Sequence, residues 1–586
     1  MLHDRQRTRA QGRTIAPAAT CGIGYGQLVK RGQVVLIVLA VLAVAAVAFL
    51  RDGGDKTGGG TAKAPPRALR VPFVYSPEKD KLLRPLIAAF NRERNEVAGQ
   101  PVFVEGESMS SGEAQEKIAR GRLKPVAWSP ASSLWGRLLN FEADRSYVAA
   151  RNQAIVRTPL VIAMWEPMAR ALGYPGKKLG FADVLKLATS GKGWAEYGHP
   201  EFGDFKLVHT NPDFSTSGLS AVVAEYYSAT GKKEGLTAAD VRSKAARKAV
   251  RGIERSIVHY GDTTLFIADQ MRERGPGYAS AAAMEEVTLL DFNRTRGTHP
   301  KLVAIYPREG TFYSDNPFIV LDAPWVDVAE KEAARSFQRF LAKRVTPELA
   351  ARFGFRPPGL DQKPVDPITR QNGVDPAQPE RVLGLPGPRV LATIKATWRR
   401  DRKPANVLLV VDTSGSMIEE DRLARAKVGL EAFLKEAAPQ DRVGLMEFSD
   451  EVSLLVPISA FRDNALDLQE IVQNLIAGGG TAFLDATSKA FDEVRGRAGP
   501  DAISAVVLLT DGEDTDSSLS LDRVIDRLAS QGDRENPVRI FTIAYSAGAE
   551  GAIEALEKIA SASGGKAYIG ETDDIAAVYR SISSFF

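Results

Sequence analysis

The sequence predicts a mixed α/β protein: a doubly wound, Rossmann-like domain at the C-terminal end, a two-lobed α/β block before it, and one transmembrane helix ahead of both. Three observations carry this reading. Short runs of apolar, β-branched residues alternate with amphipathic stretches from about residue 68 onward, the pattern of βαβ units. A proline-rich break divides that region, and an uninterrupted apolar run stands near the N-terminus. The length, 586 residues, argues for three or four folding units at roughly 100–200 residues each. With 44% hydrophobic and 25% charged residues, the chain is neither mainly disordered nor collagen-like. A net charge of +4 without a basic block argues against a nucleic-acid partner. Cys21 is the single cysteine, so no intramolecular disulfide can form.

The apolar run is VVLIVLAVLAVAAVAFL, residues 34–50. Its length falls within the range of a spanning helix, about 17–25 residues. Upstream, Arg5, Arg7, Arg9, Arg13, Lys30 and Arg31 face Asp4 alone, whereas downstream Arg51 and Lys56 are offset by Asp52 and Asp55. The positive-inside rule therefore expects residues 1–33 as a cytoplasmic basic tail and the bulk of the chain on the extracytoplasmic side. Ala46-Val47-Ala48 fits a signal-peptidase site, so both a retained anchor and a cleaved leader stay open; the long leader favours the anchor. Residues 51–67, rich in glycine and charge, read as a flexible linker. Residues 356–389 carry eight prolines, which forbid a continuous helix or central strand.

Between the breaks, residues 68–355 supply strands at 71–75, 101–105, 159–165, 206–210, 301–306 and 318–321, with helices between them. A block of this size exceeds one ordinary core, which predicts two lobes. Hydroxyl-rich loops before helices offer side-chain oxygens and free N–H groups, suited to a small polar or anionic solute. The candidates are Ser76, Ser108, Ser110, Ser129, Ser132, Ser215, Thr216 and Ser217. Helix capping accounts for the same hydroxyls, and Asp213 would repel an anion. The segments VYSPEKDKLLRPLIAAFN, VAWSPASSLWGRLL, NPDFSTSGLSA and ARSFQRFLAKRVTPELAARFGFRP resemble the type II periplasmic solute-binding proteins that serve ABC transporters. The resemblance implies a bacterial origin and two lobes closing on a ligand at a hinge.

Residues 390–586 carry the sharper signal. NVLLVV and AVVLLT are strands fit for burial on both faces. They run into Asp412-Thr413-Ser414-Gly415-Ser416-Met417 and Asp511-Gly512-Glu513-Asp514, and a GGGT loop precedes another helix. Loops beyond the carboxyl ends of such strands form the ligand crevice of open α/β sheets. They hold Asp412, Ser414, Ser416, Thr481 and Asp511, an all-oxygen set suited to Mg²⁺ or Mn²⁺ rather than zinc. Glu513 and Asp514 read as solvated loop charges, and Met417 as packing. The arrangement resembles the von Willebrand factor type A (VWA) domain, whose metal-ion-dependent adhesion site has the form Asp-x-Ser-x-Ser, then Thr, then Asp. By that resemblance Ser414, Ser416 and Thr481 give hydroxyl oxygens to the metal. Asp412 and Asp511 act directly or through water, and an Asp or Glu from a protein partner completes the shell.

The histidines are His3, His199, His209, His259 and His299, and none lies in the C-terminal block. That removes a Ser–His–Asp triad and a histidine metal centre from it; no P-loop is present in the chain. The expectation is a non-enzymatic, membrane-anchored extracytoplasmic binding protein that engages a protein partner through its metal. Two alternatives accompany it: a transport-associated solute receptor or sensor whose VWA domain is a docking module, and a Mg²⁺-dependent phosphohydrolase.

Overall fold

The computed structural model describes residues 64–359, 363–530, 536–545, 550–570 and 575–586. The expected spanning segment, its basic tail and nearly all of the glycine-rich linker lie outside the described residues. Among the described residues no helix is long and apolar enough to cross a membrane.

Among the described residues, three mixed sheets organise the fold. The first lobe is built on a sheet ordered Glu96–Val97, Gln100–Ser108, Leu69–Tyr75, Ala127–Ser129, Pro317–Val320, Gln153–Ala154. The second lobe orders Leu302–Ile305, Thr158–Trp165, Ala281–Glu285, Leu207–Thr210 and Ile257–Gly261. The chain crosses from the first to the second at 155–158 and returns at 314–317. The crossings lie together, because Ser314 pairs with Thr158 and Pro317 with Ala154. A short bridge between Arg157 and Arg356 adds a third strand to this hinge.

The proline-rich stretch after Phe355 packs on the second lobe. Ile368, Val374 and Leu383 are buried, and Arg356 holds Glu286 through two hydrogen bonds of 2.8 and 2.7 Å. Proline density ends at Pro388, the first residue of the helix Pro388–Asp401, where the missing N–H costs nothing. This connecting helix lies against the second lobe. Asp401 pairs bidentately with Arg247 at 2.6 Å, and Arg399 with Asp213 at 2.6 Å.

The third sheet orders Val452–Ala460, Arg442–Phe448, Ala405–Asp412, Ile503–Thr510, Val538–Tyr545 and Ala567–Gly570, parallel except at the first edge. Its two central strands are buried along their whole length, which explains their unbroken apolar sequences. Arg402 enters the domain on Asp441, at 2.7 Å. The C-terminus closes the joint from the other side: the Phe585 ring lies 4.7 Å from Phe541 in the third sheet's layer and 5.1 Å from Phe266 in the second lobe.

Candidate functional site

Asp412 is the last residue of the strand Ala405–Asp412, and Asp511 follows the adjacent parallel strand Ile503–Thr510. Asp412 is fully buried. Its Oδ1 accepts from the Ser414 backbone N–H at 2.8 Å, and its Oδ2 accepts from the Thr510 hydroxyl at 2.6 Å. Burial pushes its carboxyl up to about 6, against the hydrogen bonds from Ser414 and Thr510. Ser414 Oγ and Ser416 Oγ lie 3.0 Å apart, and Ser416 donates to Asp511 Oδ1 at 2.8 Å. Thr481 joins from the glycine loop: a β-carbon on Gly512 would come within 3.8 Å of the Ser416 hydroxyl and 3.9 Å of the Thr481 hydroxyl.

The backbone holds these loops in register. Gly415 N–H donates to the Gly479 carbonyl, and Gly478 N–H to the Thr413 carbonyl, at 3.0 and 2.8 Å. Gly479 needs its glycine, since φ is +85° and a β-carbon would meet Asp450 Oδ1 at 2.3 Å. At Gly480 a β-carbon would fall 1.8 Å from Asp516 Oδ2. That carboxylate instead accepts from the Thr481 N–H at 3.0 Å.

The donor set fits a hard divalent ion. Octahedral Mg²⁺ at about 2.0–2.1 Å places neighbouring ligand oxygens roughly 2.9 Å apart. The Ser414, Ser416 and Asp511 oxygens already stand at 3.0 and 2.8 Å. Both Asp412 oxygens are engaged by N–H and O–H donors, an arrangement that suits contact through water.

Three participants were not apparent from the sequence pattern. Thr510 fixes Asp412, and Asp516 fixes Thr481. Arg422 matters most: its Nη1 pairs with Asp511 Oδ2 at 2.7 Å. It opens the helix Arg422–Glu436 after two successive residues at positive φ, Glu420 and Asp421, a conformation costing about 1–3 kcal/mol per residue. The signal available was a basic residue at the start of the helix after the serine loop. Asp514 is no free loop charge; its Oδ1 accepts from the Leu484 N–H at 3.2 Å at the start of the next helix and from the Ser517 hydroxyl at 2.6 Å. Met417 is buried packing.

The serine loops of the two lobes meet around two cavities of unequal size. Ser76, Ser110, Ser215 and Thr216 line one cavity of about 20 Å³ with Glu78, Asp262 and Glu285, enough for about one water. The buried Lys79 ammonium bonds Ser76 and, at 2.7 Å, Asn316. Across the lobes Trp135 Nε1 donates to Thr216 Oγ1 at 2.7 Å, and Gly112 N–H to the Phe214 carbonyl at 2.8 Å. Ser217 bonds Thr210, Ser132 accepts from the Leu134 N–H, and Ser129 is buried beside the cleft. Ser108 is exposed outside that cavity and, with Ser110, Phe214 and Thr263, lines a neighbouring one of about 200 Å³ that also takes in Arg120, Arg122 and Arg580. Of the lining carboxylates, Glu78 pairs with Lys79 and Asp262 with Lys566, so those cations are already engaged and not open to an anion. Asp213 is not on this lining: burial alone would raise its carboxyl, but Lys395 and Arg399 hold it below its ordinary value.

Glu285 gives this closed cleft a pH dependence. Burial, then the Glu78 carboxylate, pushes its carboxyl from 4.5 up to about 8. The folded chain therefore keeps a proton that the unfolded chain has released, and stability falls as pH rises through that window. The melting midpoint is expected to drop from pH 5 to pH 8, and Glu285→Gln should flatten the drop. Parallel pH profiles for the two chains would exclude Glu285 as its source.

The fold joins a two-lobed body to an α/β domain with an oxygen-rich crevice at its strand ends, and comparison with known proteins bears on both parts. Residues 406–579 match the von Willebrand factor type A domain, and residues 71–356 match the bacterial extracellular solute-binding protein family. The chain thus carries a solute-binding domain followed by a VWA domain, a combination that supports a binding or docking role. It is 22% identical over 458 residues to an uncharacterized protein of Mycobacterium tuberculosis, covering 75% of this chain and 64% of that protein; the chain spans less than two thirds of that relative's length. Among solved structures it is similar to a von Willebrand factor type A protein from Catenulispora acidiphila, at 23% identity and a TM-score of 0.28 over 31% of this chain and 42% of that one. It is also similar to a periplasmic thiamin binding protein, at 9% identity and a TM-score of 0.41 over 58% of this chain and 98% of that one.

Proposed function

We propose that this chain is an extracytoplasmic, membrane-anchored docking protein that grips an acidic residue of a protein partner through Mg²⁺ or Mn²⁺ in its VWA domain. The observation that carries the reading is the convergence of the Ser414, Ser416, Thr481 and Asp511 oxygens from three separate loops at the strand ends. Ser414, Ser416 and Thr481 would supply hydroxyl oxygens, Asp511 and Asp412 the negative charge. Two carboxylates neutralise a divalent ion only when Arg422 leaves Asp511, so the bound ion stays electrophilic toward one more carboxylate. The solute-binding family match supports the extracytoplasmic location, and the apolar run at 34–50 supports the anchor.

The middle block serves here as a closed platform. A solute of more than a few atoms would reach the small cavity at Ser76 and Thr216 only if the Trp135–Thr216 and Gly112–Phe214 contacts parted, so solute capture is the second reading. A thermal-shift screen of oxyanions, sugars and peptides separates the two, because a ligand of the folded state raises the midpoint.

The docking reading is tested by crosslinking capture from membranes with Mg²⁺ and with chelator. A partner recovered only with Mg²⁺, and released by free glutamate, supports it; identical capture with chelator overturns it. Arg422 offers an independent check. It places a positive charge on the carboxylate the ion must use, so Arg422→Gln should tighten Mg²⁺ binding about tenfold, given a few kcal/mol at most for adjacent unit charges at an effective dielectric near 20. Weaker binding in that variant would show that Arg422 positions Asp511 rather than competing for it.

A further inference from the structure

A second convergence of donors lies in the second lobe, away from the VWA crevice. His209 comes from the strand Leu207–Thr210, Glu225 from the helix Thr216–Thr230, and Glu254 ends the helix Lys244–Glu254. One ligand-capable atom of each lies within 4.8 Å of the others, and the three residues are at most 1% exposed.

The hydrogen bonds around them leave one hydrogen or one cation to be accounted for. His209 Nδ1 stands 2.7 Å from the Thr210 carbonyl oxygen. A carbonyl only accepts, so Nδ1 carries a hydrogen, and Nε2 is the nitrogen left to offer a lone pair when the ring carries that hydrogen alone. That nitrogen faces Glu254 Oε1 at 3.1 Å, and two lone pairs do not bond. Glu254 Oε2 already accepts from the Tyr260 hydroxyl at 2.6 Å and Trp398 Nε1 at 3.0 Å. Glu225 is the more telling group: neither carboxylate oxygen has a hydrogen-bond partner, although desolvating such a group is expensive.

We propose that His209, Glu225 and Glu254 bind a zinc-class divalent cation that braces the second lobe. One dication balances the two carboxylates, takes the Nε2 lone pair and satisfies Glu225. Imidazole with carboxylates suits zinc, whereas the oxygen-only VWA set suits magnesium. Donors around tetrahedral zinc stand roughly 3.3–3.6 Å apart, so small side-chain movements close the cluster. Because Glu254 also holds Trp398, the cation ties the strand and both helices to the connecting helix that leads into the VWA domain.

The test uses the full chain, loaded with Zn²⁺ alone, dialysed and assayed for metal by mass spectrometry, beside Glu225→Gln and His209→Asn. The asparagine amide can still donate to the Thr210 carbonyl but offers no nitrogen lone pair. The wild type should retain about one more zinc per chain than either variant, and Zn²⁺ should raise its melting midpoint and not theirs. Circular dichroism in chelator identifies which variant is folded; either one suffices. Equal zinc retention in the wild type and a folded variant overturns the proposal. So does a wild type that keeps no zinc while Glu225→Gln melts higher in chelator, which would mean that protons fill the cluster.

Discussion

Asp412→Ala should abolish Mg²⁺ binding in calorimetry, weakening it at least about 100-fold, while leaving the chain folded. The effect exceeds the 10–100-fold typical of a supporting partner because Asp412 supplies charge and geometry together. Its Oδ1 holds the Ser414 N–H and its Oδ2 the Thr510 hydroxyl. Without them the serine loop loses the anchor that keeps Ser414 Oγ 3.0 Å from Ser416 Oγ. The fold survives because a carboxyl pushed up to about 6 by burial is a strained anion without a cation beside it. In chelator the variant should therefore melt close to the wild type. Glu513→Ala, at an exposed position two residues beyond Asp511, should bind Mg²⁺ normally. Equal binding by the wild type and Asp412→Ala would refute the assignment of the oxygen set.

What the sequence disclosed and what it hid follow a physical line. Strands buried on both faces, such as Ala405–Asp412 and Ile503–Thr510, announce themselves as apolar runs, and the polar residues that follow them mark the crevice. Ala281–Glu285 does not, because AAAME has little β propensity and is a strand through its neighbours Thr158–Trp165 and Leu207–Thr210. The connecting helix was masked by the proline run whose last member starts it. Arg422, Thr510 and Asp516 act through contacts set by loop geometry, which residue spacing does not encode. Asp213 shows the same limit. Alone it reads as a charge hostile to anions, yet its neutralising partners Lys395 and Arg399 lie more than 180 residues away on the connecting helix. The serine loops were visible as helix openings, but that they meet across closed lobes depends on Trp135 and Gly112, which carry no local signature of it.

Trp398→Ala should lower stability by about 3–5 kcal/mol, the range for truncating a buried tryptophan, and should split one calorimetric transition into two. The indole is buried, stacks edge-on against Tyr260 at 5.1 Å and donates to Glu254. Removing it opens a cavity and takes a donor from a buried carboxylate at the same time. Polar contacts alone cannot hold the connecting helix: Arg399 is more than half exposed in its pair with Asp213, and exposed pairs contribute at most about 1 kcal/mol. The remaining ties include Arg247–Asp401, Lys403 on the Ile257 carbonyl, Lys566 on Asp262, Arg274 on the Ser561 carbonyl and the Phe585 contact with Phe266. With the central apolar anchor lost, the VWA domain should unfold on its own, protected by its long central strands, and the solute-binding body at a lower temperature. Proteolysis should then cut near the connecting helix in the variant and not in the wild type. A single transition with the wild-type midpoint would mean that the C-terminal phenylalanines, rather than Trp398, carry the coupling between the two domains.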